Sequence, residues 1–164
     1  MSEKPRSVYE HILKGMGTGI LGVGGIFTII LLGICIFFQH SDVNCLTDIF
    51  NGKATWGENN GLSAYELGLF FTIFVMMQFW NLFNAKAFMT KDSAFKGISW
   101  KNTKWFIIIA FVIFVGQILM TEIPGLQEMF NVAEGGIKVF DWLIIVAATS
   151  FVLWIGELVR LVRR

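Results

Sequence analysis

Four stretches of the chain carry no Asp, Glu, Lys or Arg: Gly15–Ser41, Leu67–Ala85, Trp105–Thr121 and Trp142–Gly156. A hydrocarbon core is crossed by ~20 mostly apolar residues in helical form. The first three stretches meet that length nearly or fully. The fourth has 15 residues, which rise only ~22 Å as a helix. Extended to Val139–Leu161 it spans, with Asp141 and Glu157 placed near the headgroups, where charges at span ends are tolerated. None of the runs alternates with period two, as barrel strands do. The pattern therefore predicts an all-α membrane protein with four transmembrane helices, at about 15–39, 65–86, 104–122 and 139–161, forming one membrane domain. The first run is too long for the apolar core of a signal peptide and has no small-x-small site after Phe38, so it reads as a retained helix.

Charge sets the expected orientation. The segment before the first span holds Lys4, Arg6 and Lys14. The loop between the second and third holds Lys86, Lys91, Lys96, Lys101 and Lys104, and the chain ends with Arg160, Arg163 and Arg164. The remaining loops hold only Lys53 and Lys138 among many acidic residues. The positive-inside rule then puts both termini and the Lys86–Lys104 loop in the cytoplasm, which an even number of spans requires. Trp56, Trp100, Trp105 and Trp142 fall in loops or at span ends, as interfacial aromatics do. The longest connection, His40–Ala64, is punctuated by Asn51-Gly52, Trp56-Gly57 and Asn60-Gly61, which read as turns.

Composition agrees with this picture and removes others. Hydrophobic residues make up 55% and charged residues 15% of the 164, with mean hydropathy +0.65. A disordered chain has the opposite balance, and a soluble domain of this size could not hide so much apolar surface. A net charge of +1 leaves no basic excess for nucleic acid. The partner implied is a lipid bilayer, the cytoplasmic membrane. Cys35 lies in an apolar run and Cys45 in a polar loop, so no disulfide between them is expected. His11 and His40 fall on opposite sides of the membrane and read as ordinary interfacial residues. No Gly-Lys-Ser/Thr phosphate loop, Cys-x-x-Cys, His-Glu-x-x-His or nucleophile elbow occurs, so no catalytic residue and no bound cofactor is assigned within the chain.

Two clusters remain. Gly15 and Gly19 form a small-xxx-small pair that Gly22 and Gly25 continue, a smooth face for close helix packing, against a neighbour in this chain or a transmembrane helix outside it. In the second span Gln78, Asn81 and Asn84 are spaced by three, which confines them to a band of ~120° on one side of a helix. Amides in hydrocarbon need partners. They can bond neighbouring helices, or turn carbonyl oxygens toward an ion path. Calcium takes 6–8 oxygen ligands, usually including carboxylates. No carboxylate falls in the interior of a span, so the membrane part is expected to offer amides but no buried carboxylate. Met76 and Met77 read as packing. Gln117 and Thr121, and Thr149 and Ser150, read as single polar contacts between helices.

The stretch Phe71-Thr72-Ile73-Phe74-Val75-Met76-Met77-Gln78-Phe79-Trp80-Asn81-Leu82-Phe83-Asn84-Ala85-Lys86 resembles the eighth transmembrane helix of P-type calcium-transporting ATPases, particularly the plasma-membrane type and its bacterial relatives. Ala94-Phe95-Lys96-Gly97-Ile98 is similar to the loop that leads to the ninth helix. Gln117-Ile118-Leu119 with Pro124-Gly125 is similar to the end of that helix, and Trp142-Leu143 with Leu153-Trp154-Ile155-Gly156-Glu157-Leu158 to the tenth. Glu3-Lys4-Pro5-Arg6 resembles the exit from the loop after the sixth helix, which makes the glycine-rich span the seventh. The resemblance covers essentially the whole chain and is most specific over Phe71–Ile98.

This resemblance implies a parent pump that couples ATP hydrolysis, through a phosphorylated aspartate, to calcium export. The parent would use ATP, Mg2+ and transported Ca2+. The partners implied are the N-terminal helices and cytoplasmic domains of the same pump. In the sarcoplasmic-reticulum branch the position matching Gln78 carries a carboxylate that helps to bind a second calcium ion. Here it is an amide, which leaves Gln78 as a weak metal candidate. The Asp-Lys-Thr-Gly-Thr motif and the nucleotide and actuator regions are absent, so the expectation is a fragment from a truncated reading frame, inactive alone. The alternative is an independent four-helix membrane protein with a structural or partner-binding role.

Overall fold

A computed structural model describes residues 17–53, 55–56, 61–87 and 92–162. The chain divides at Ile36/Phe37 into two compact units. Through the first runs most of α1 (Gly17–Gln39). Its apolar residues include several glycines, and Thr28 Oγ1 is satisfied within the helix by donating to Gly24 O at 2.9 Å.

The second unit begins at the end of α1. Ser41–Asp42 (β1) pairs antiparallel with Thr55–Trp56 (β2), Ser41 opposite Trp56 and Asp42 opposite Thr55. Between them lies the five-residue α2 (Leu46–Phe50). Among the described residues this ribbon is the only strand structure, so the chain is helical apart from one short pairing. The turn at Asn51-Gly52 is present, with Gly52 at φ +65°. Residues 57–60, where two further turns are expected, lie outside the described residues.

The centre of the unit is α3 (Ala64–Lys86), which packs against α4 (Trp100–Glu122), α6 (Val139–Thr149) and α7 (Phe151–Val162). It starts at a capping box. Ser63 Oγ accepts from Glu66 N at 3.2 Å, and Glu66 Oε2 accepts from Ser63 N at 2.8 Å. Two of the helix's otherwise unmatched N-terminal donors are thereby satisfied. Leu69, Thr72, Met76 and Met77 are fully buried on it. Gly68 is required by its neighbour: a Cβ there would sit 2.9 Å from Val132 Cγ1. Toward its C-terminus Phe79, Trp80 and Phe83 form an aromatic cluster with Phe106 and Phe114 of α4.

The short α5 (Pro124–Phe130) follows α4 with Pro at its first turn, where the missing N–H is harmless. The last span is interrupted at Ser150 between α6 and α7. Thr149 Oγ1 donates to Ile145 O at 2.6 Å and Ser150 Oγ to Ala147 O at 2.7 Å. Such back-bonding competes with the helical ladder and bends helices. Among the described residues four helical stretches are long and apolar enough to cross a membrane: Leu21–Gln39, Ala64–Lys86, Thr103–Glu122 and Val139–Val162.

The polar residues inside the unit are used as contacts between and within helices. Gln117 Nε2 donates to Thr72 Oγ1 at 2.9 Å, joining α4 to α3. Trp80 Nε1 donates to Thr149 Oγ1 at 3.1 Å, joining α3 to α6. Thr121 Oγ1 is satisfied by the carbonyls of Gln117 and Ile118 on its own helix.

Candidate functional site

The three amides of α3 do not share one environment. Gln78 is exposed and Asn81 half-buried. Both line a shallow groove of ≈ 270 Å³ with Phe74, Val75, Leu82 and Ile113 of α4. No hydrogen bond to either side chain occurs among the described residues. Asn84, three residues beyond Asn81, is committed elsewhere. Its Nδ2 donates to Val152 O at 2.7 Å, and its Oδ1 accepts from Arg160 at 2.9 Å, both on α7. The split follows from geometry: Gln78 and Asn84 occupy opposite edges of a ~120° band, wide enough to face two neighbours.

Of the glycine face, Gly15 lies outside the described residues and Gly19 falls within α1. A Cβ built at Gly22 meets no atom of its own unit. A glycine that sequence reasoning did not single out has the tighter requirement: a Cβ at Gly156 would fall on the Asn84 amide.

The expectation that no carboxylate is buried needs correcting. Glu66 and Asp141 are both fully buried. Asp141, in the first turn of α6, gathers donors there. Its Oδ1 accepts from Leu46 N and Cys45 Sγ, each at 3.1 Å, and its Oδ2 from the Tyr65 hydroxyl at 2.6 Å. Glu66 Oε1 accepts from Val43 N at 2.9 Å. Both carboxylates sit in the first turn of a helix, where the helix dipole favours negative charge. They are buried because the 43–46 segment needs acceptors for its backbone N–H groups and these two carboxylates supply them. Each lies at a helix end, on a different part of the unit from the groove. Ser63-x-x-Glu66 was a readable capping signal; nothing local to Asp141 announces a partner 95 residues earlier.

A second polar cluster closes the other end. Glu157 Oε1 accepts from Arg160 at 2.9 Å, from Ala94 N at 2.7 Å and from Ser93 Oγ at 3.1 Å. Arg160 is buried. Lys86 Nζ donates to the carbonyls of Ala94 and Lys96. These groups hold backbone and one another. Among the described residues no group of three or more His, Cys, Asp or Glu could hold a metal ion, and the groove presents two amides without a carboxylate. That donor set falls short of the oxygen cage calcium takes.

The family described as cation transporting ATPase, C-terminus, matches residues 1–162. The chain belongs to this family. It is the C-terminal region of a P-type cation-transporting ATPase and a multi-pass integral membrane protein, in keeping with its four apolar spans. A relative, calcium-transporting ATPase 2 of Cryptococcus neoformans var. grubii serotype A, is 38% identical over 120 residues. The match covers 71% of this chain and 8% of that protein. Membership in the cation-transporting ATPase family implies a lipid environment and the remainder of a pump around these helices.

Proposed function

We propose that the chain is the membrane block formed by helices seven to ten of a P-type pump that exports calcium from the cytoplasm, and that it is inactive by itself. The observation that carries this reading is the groove on α3. Two amides, Gln78 and Asn81, stand there without a partner among the described residues, in a span where unmatched amides are costly. They call for a polar neighbour from the rest of the pump. The name of the Cryptococcus relative, calcium-transporting ATPase 2, supports calcium as the cation.

ATP and Mg2+ would act at the cytoplasmic domains of the parent pump, which would also supply the phosphorylated aspartate. Phosphoryl transfer needs groups that hold phosphates and metal, and the chain has no phosphate-loop motif. The isolated 164-residue chain should therefore neither hydrolyse ATP nor move calcium. Calcium enters the reading as cargo: the amides of α3 would contribute oxygen atoms at most, and carboxylates would come from helices outside the chain.

In the same reading the termini and the Lys86–Lys104 loop are cytoplasmic, and the His40–Ala64 and Glu122–Lys138 segments face outward, since 11 of the 13 basic residues fall on the first side. Glu128 and Asp92 are both exposed. In a Cys35→Ala, Cys45→Ser background, which removes both native thiols, a membrane-impermeant thiol reagent applied to intact cells should label Glu128→Cys and leave Asp92→Cys untouched. External labelling of Asp92→Cys would reverse the topology.

The experiment for the function itself is to sequence the transcript upstream of the codon for Met1. A pump origin predicts six more hydrophobic spans and an Asp-Lys-Thr-Gly-Thr sequence, in frame or across one frameshift. A ribosome-binding site directly before Met1, with no pump sequence nearby, would make this an independent four-span protein.

A further inference from the structure

One end of α3 is tied to α7 and to the turn at 94–97 by polar contacts that form a closed circuit. Asn84 bonds Val152 O and Arg160, an approach that only a glycine at position 156 leaves room for. Arg160 also donates to Glu157 Oε1. The same carboxylate oxygen holds Ala94 N and Ser93 Oγ, so the turn hangs on α7. Lys86, in the last turn of α3, donates back into that turn through the carbonyls of Ala94 and Lys96. The path thus runs from α3 to α7, to the turn and back to α3. Arg160 is buried, its Nε has no partner, and Glu157 is its only ion-pair acceptor among the described residues. The link between α7 and the turn runs through this one carboxylate.

We infer that this circuit is a latch that fixes the rotation of α3 about its own axis, and so couples the 92–97 turn to the direction in which Gln78 and Asn81 face. The reason lies in the composition of α3. From Leu67 to Ala85 it is apolar on every side except for a few hydroxyl and amide groups. Lipid tails and apolar side chains solvate such a helix about equally well, so burial alone defines its rotation poorly, and hydrogen bonds between helices must supply it. A buried polar contact that fixes register is a well-attested use of such groups. Asn84 is the group placed to do this. It sits at one edge of the amide band, and with its amide held against α7 the opposite edge, at Gln78, faces the groove beside Ile113. Turning α3 by one residue position, ~100°, would take Gln78 out of that groove. A displacement of the 92–97 turn would pull on Glu157 and Lys86 together, one on α7 and the other on α3. The inference rests on the proposed pump only for the purpose of the rotation; the latch is a property of this chain.

The test uses the full 164-residue chain in liposomes, with one reporter thiol: Gln78→Cys in a background carrying Cys35→Ala and Cys45→Ser. The readout is the rate of modification by a small methanethiosulfonate. Glu157→Gln keeps the size of the side chain and weakens its hold on Arg160 and the turn. It should change the reporter rate by at least about threefold, the scale of coupling between residues in one network. Gln127→Leu removes a buried contact between α5 and α4 that does not involve α3 and should leave the rate within about twofold. Gly156→Ala should change the rate when Asn84 is present and have little further effect in an Asn84→Ala chain, because the amide it collides with is gone. The latch is overturned if Glu157→Gln leaves the rate unmoved, if Gln127→Leu moves it as much, or if Gly156→Ala acts equally in both backgrounds. Should Gly156→Ala not fold, the Glu157→Gln and Gln127→Leu pair decides alone. The pattern is expected whether or not the transcript encodes a pump, so failure of the calcium reading and failure of the latch are separate results.

Discussion

Gly156→Leu should leave membrane insertion intact and remove most of the chain's folded stability in detergent. Insertion rewards an added apolar side chain. Folding does not, because a Cβ at 156 already falls on the Asn84 amide. Overpacking costs about 1–3 kcal/mol in ordinary cores. Here it also expels Asn84 from Val152 O and Arg160, and loss of a partner for a buried charge costs about 3–5 kcal/mol. Glu157 remains to Arg160, so the sum should fall near roughly 4 kcal/mol. The measurement is the midpoint of unfolding in sodium dodecyl sulfate, followed by tryptophan fluorescence, beside a glycosylation-tag assay of insertion. A midpoint close to that of the unaltered chain would show that α3 and α7 do not approach at this glycine.

The second large effect is expected at the opposite end. Asp141→Leu removes the acceptor for Leu46 N, Cys45 Sγ and the Tyr65 hydroxyl. The Leu46 N–H is buried and loss of its partner costs about 1–3 kcal/mol, while Cys45 and Tyr65 are half-buried, so a loss of about 2–3 kcal/mol is expected, concentrated in the 43–50 segment. Phe50 is 77% exposed and makes a chymotrypsin site there. Cleavage after Phe50 should become much faster in Asp141→Leu, while Asp141→Asn, which keeps one acceptor oxygen, should fall between. Glu128→Leu alters an exposed acid and should leave the cleavage rate alone. Equal cleavage in Asp141→Leu and the unaltered chain would mean that the segment is held by something other than this carboxylate.

These two sites mark the boundary of what the chain discloses before its structure is known. The spans could be read because a bilayer imposes one simple rule, ~20 residues without charge, and a run of sequence either meets it or does not. Met76 and Met77 as packing, and Gln117 and Thr149 as contacts between helices, followed from the expense of polar groups in hydrocarbon. The burial of Asp141 was not legible, because the structure spends this carboxylate on the backbone N–H of a segment 95 residues earlier. The amide band was legible as a band, but its division was not: Asn84 meets Arg160 across 76 residues, and Gly156 shows its purpose only when the amide is seen beside it. The break at Ser150 left a local trace, the Thr149-Ser150 pair, read as a contact point when it also bends the helix.

The central claim is that these helices are the membrane end of a pump that moves calcium. It is tested most directly by ATP-driven uptake of radioactive calcium into inside-out vesicles that contain the polypeptide encoded by the whole transcript. The account predicts uptake that requires ATP and Mg2+, that is lost when the region of residues 1–164 is deleted, and that is absent from vesicles holding the 164-residue chain alone. Uptake of another divalent cation in place of calcium would contradict the assigned cargo. Calcium uptake that persists without this region would contradict its place in the pump.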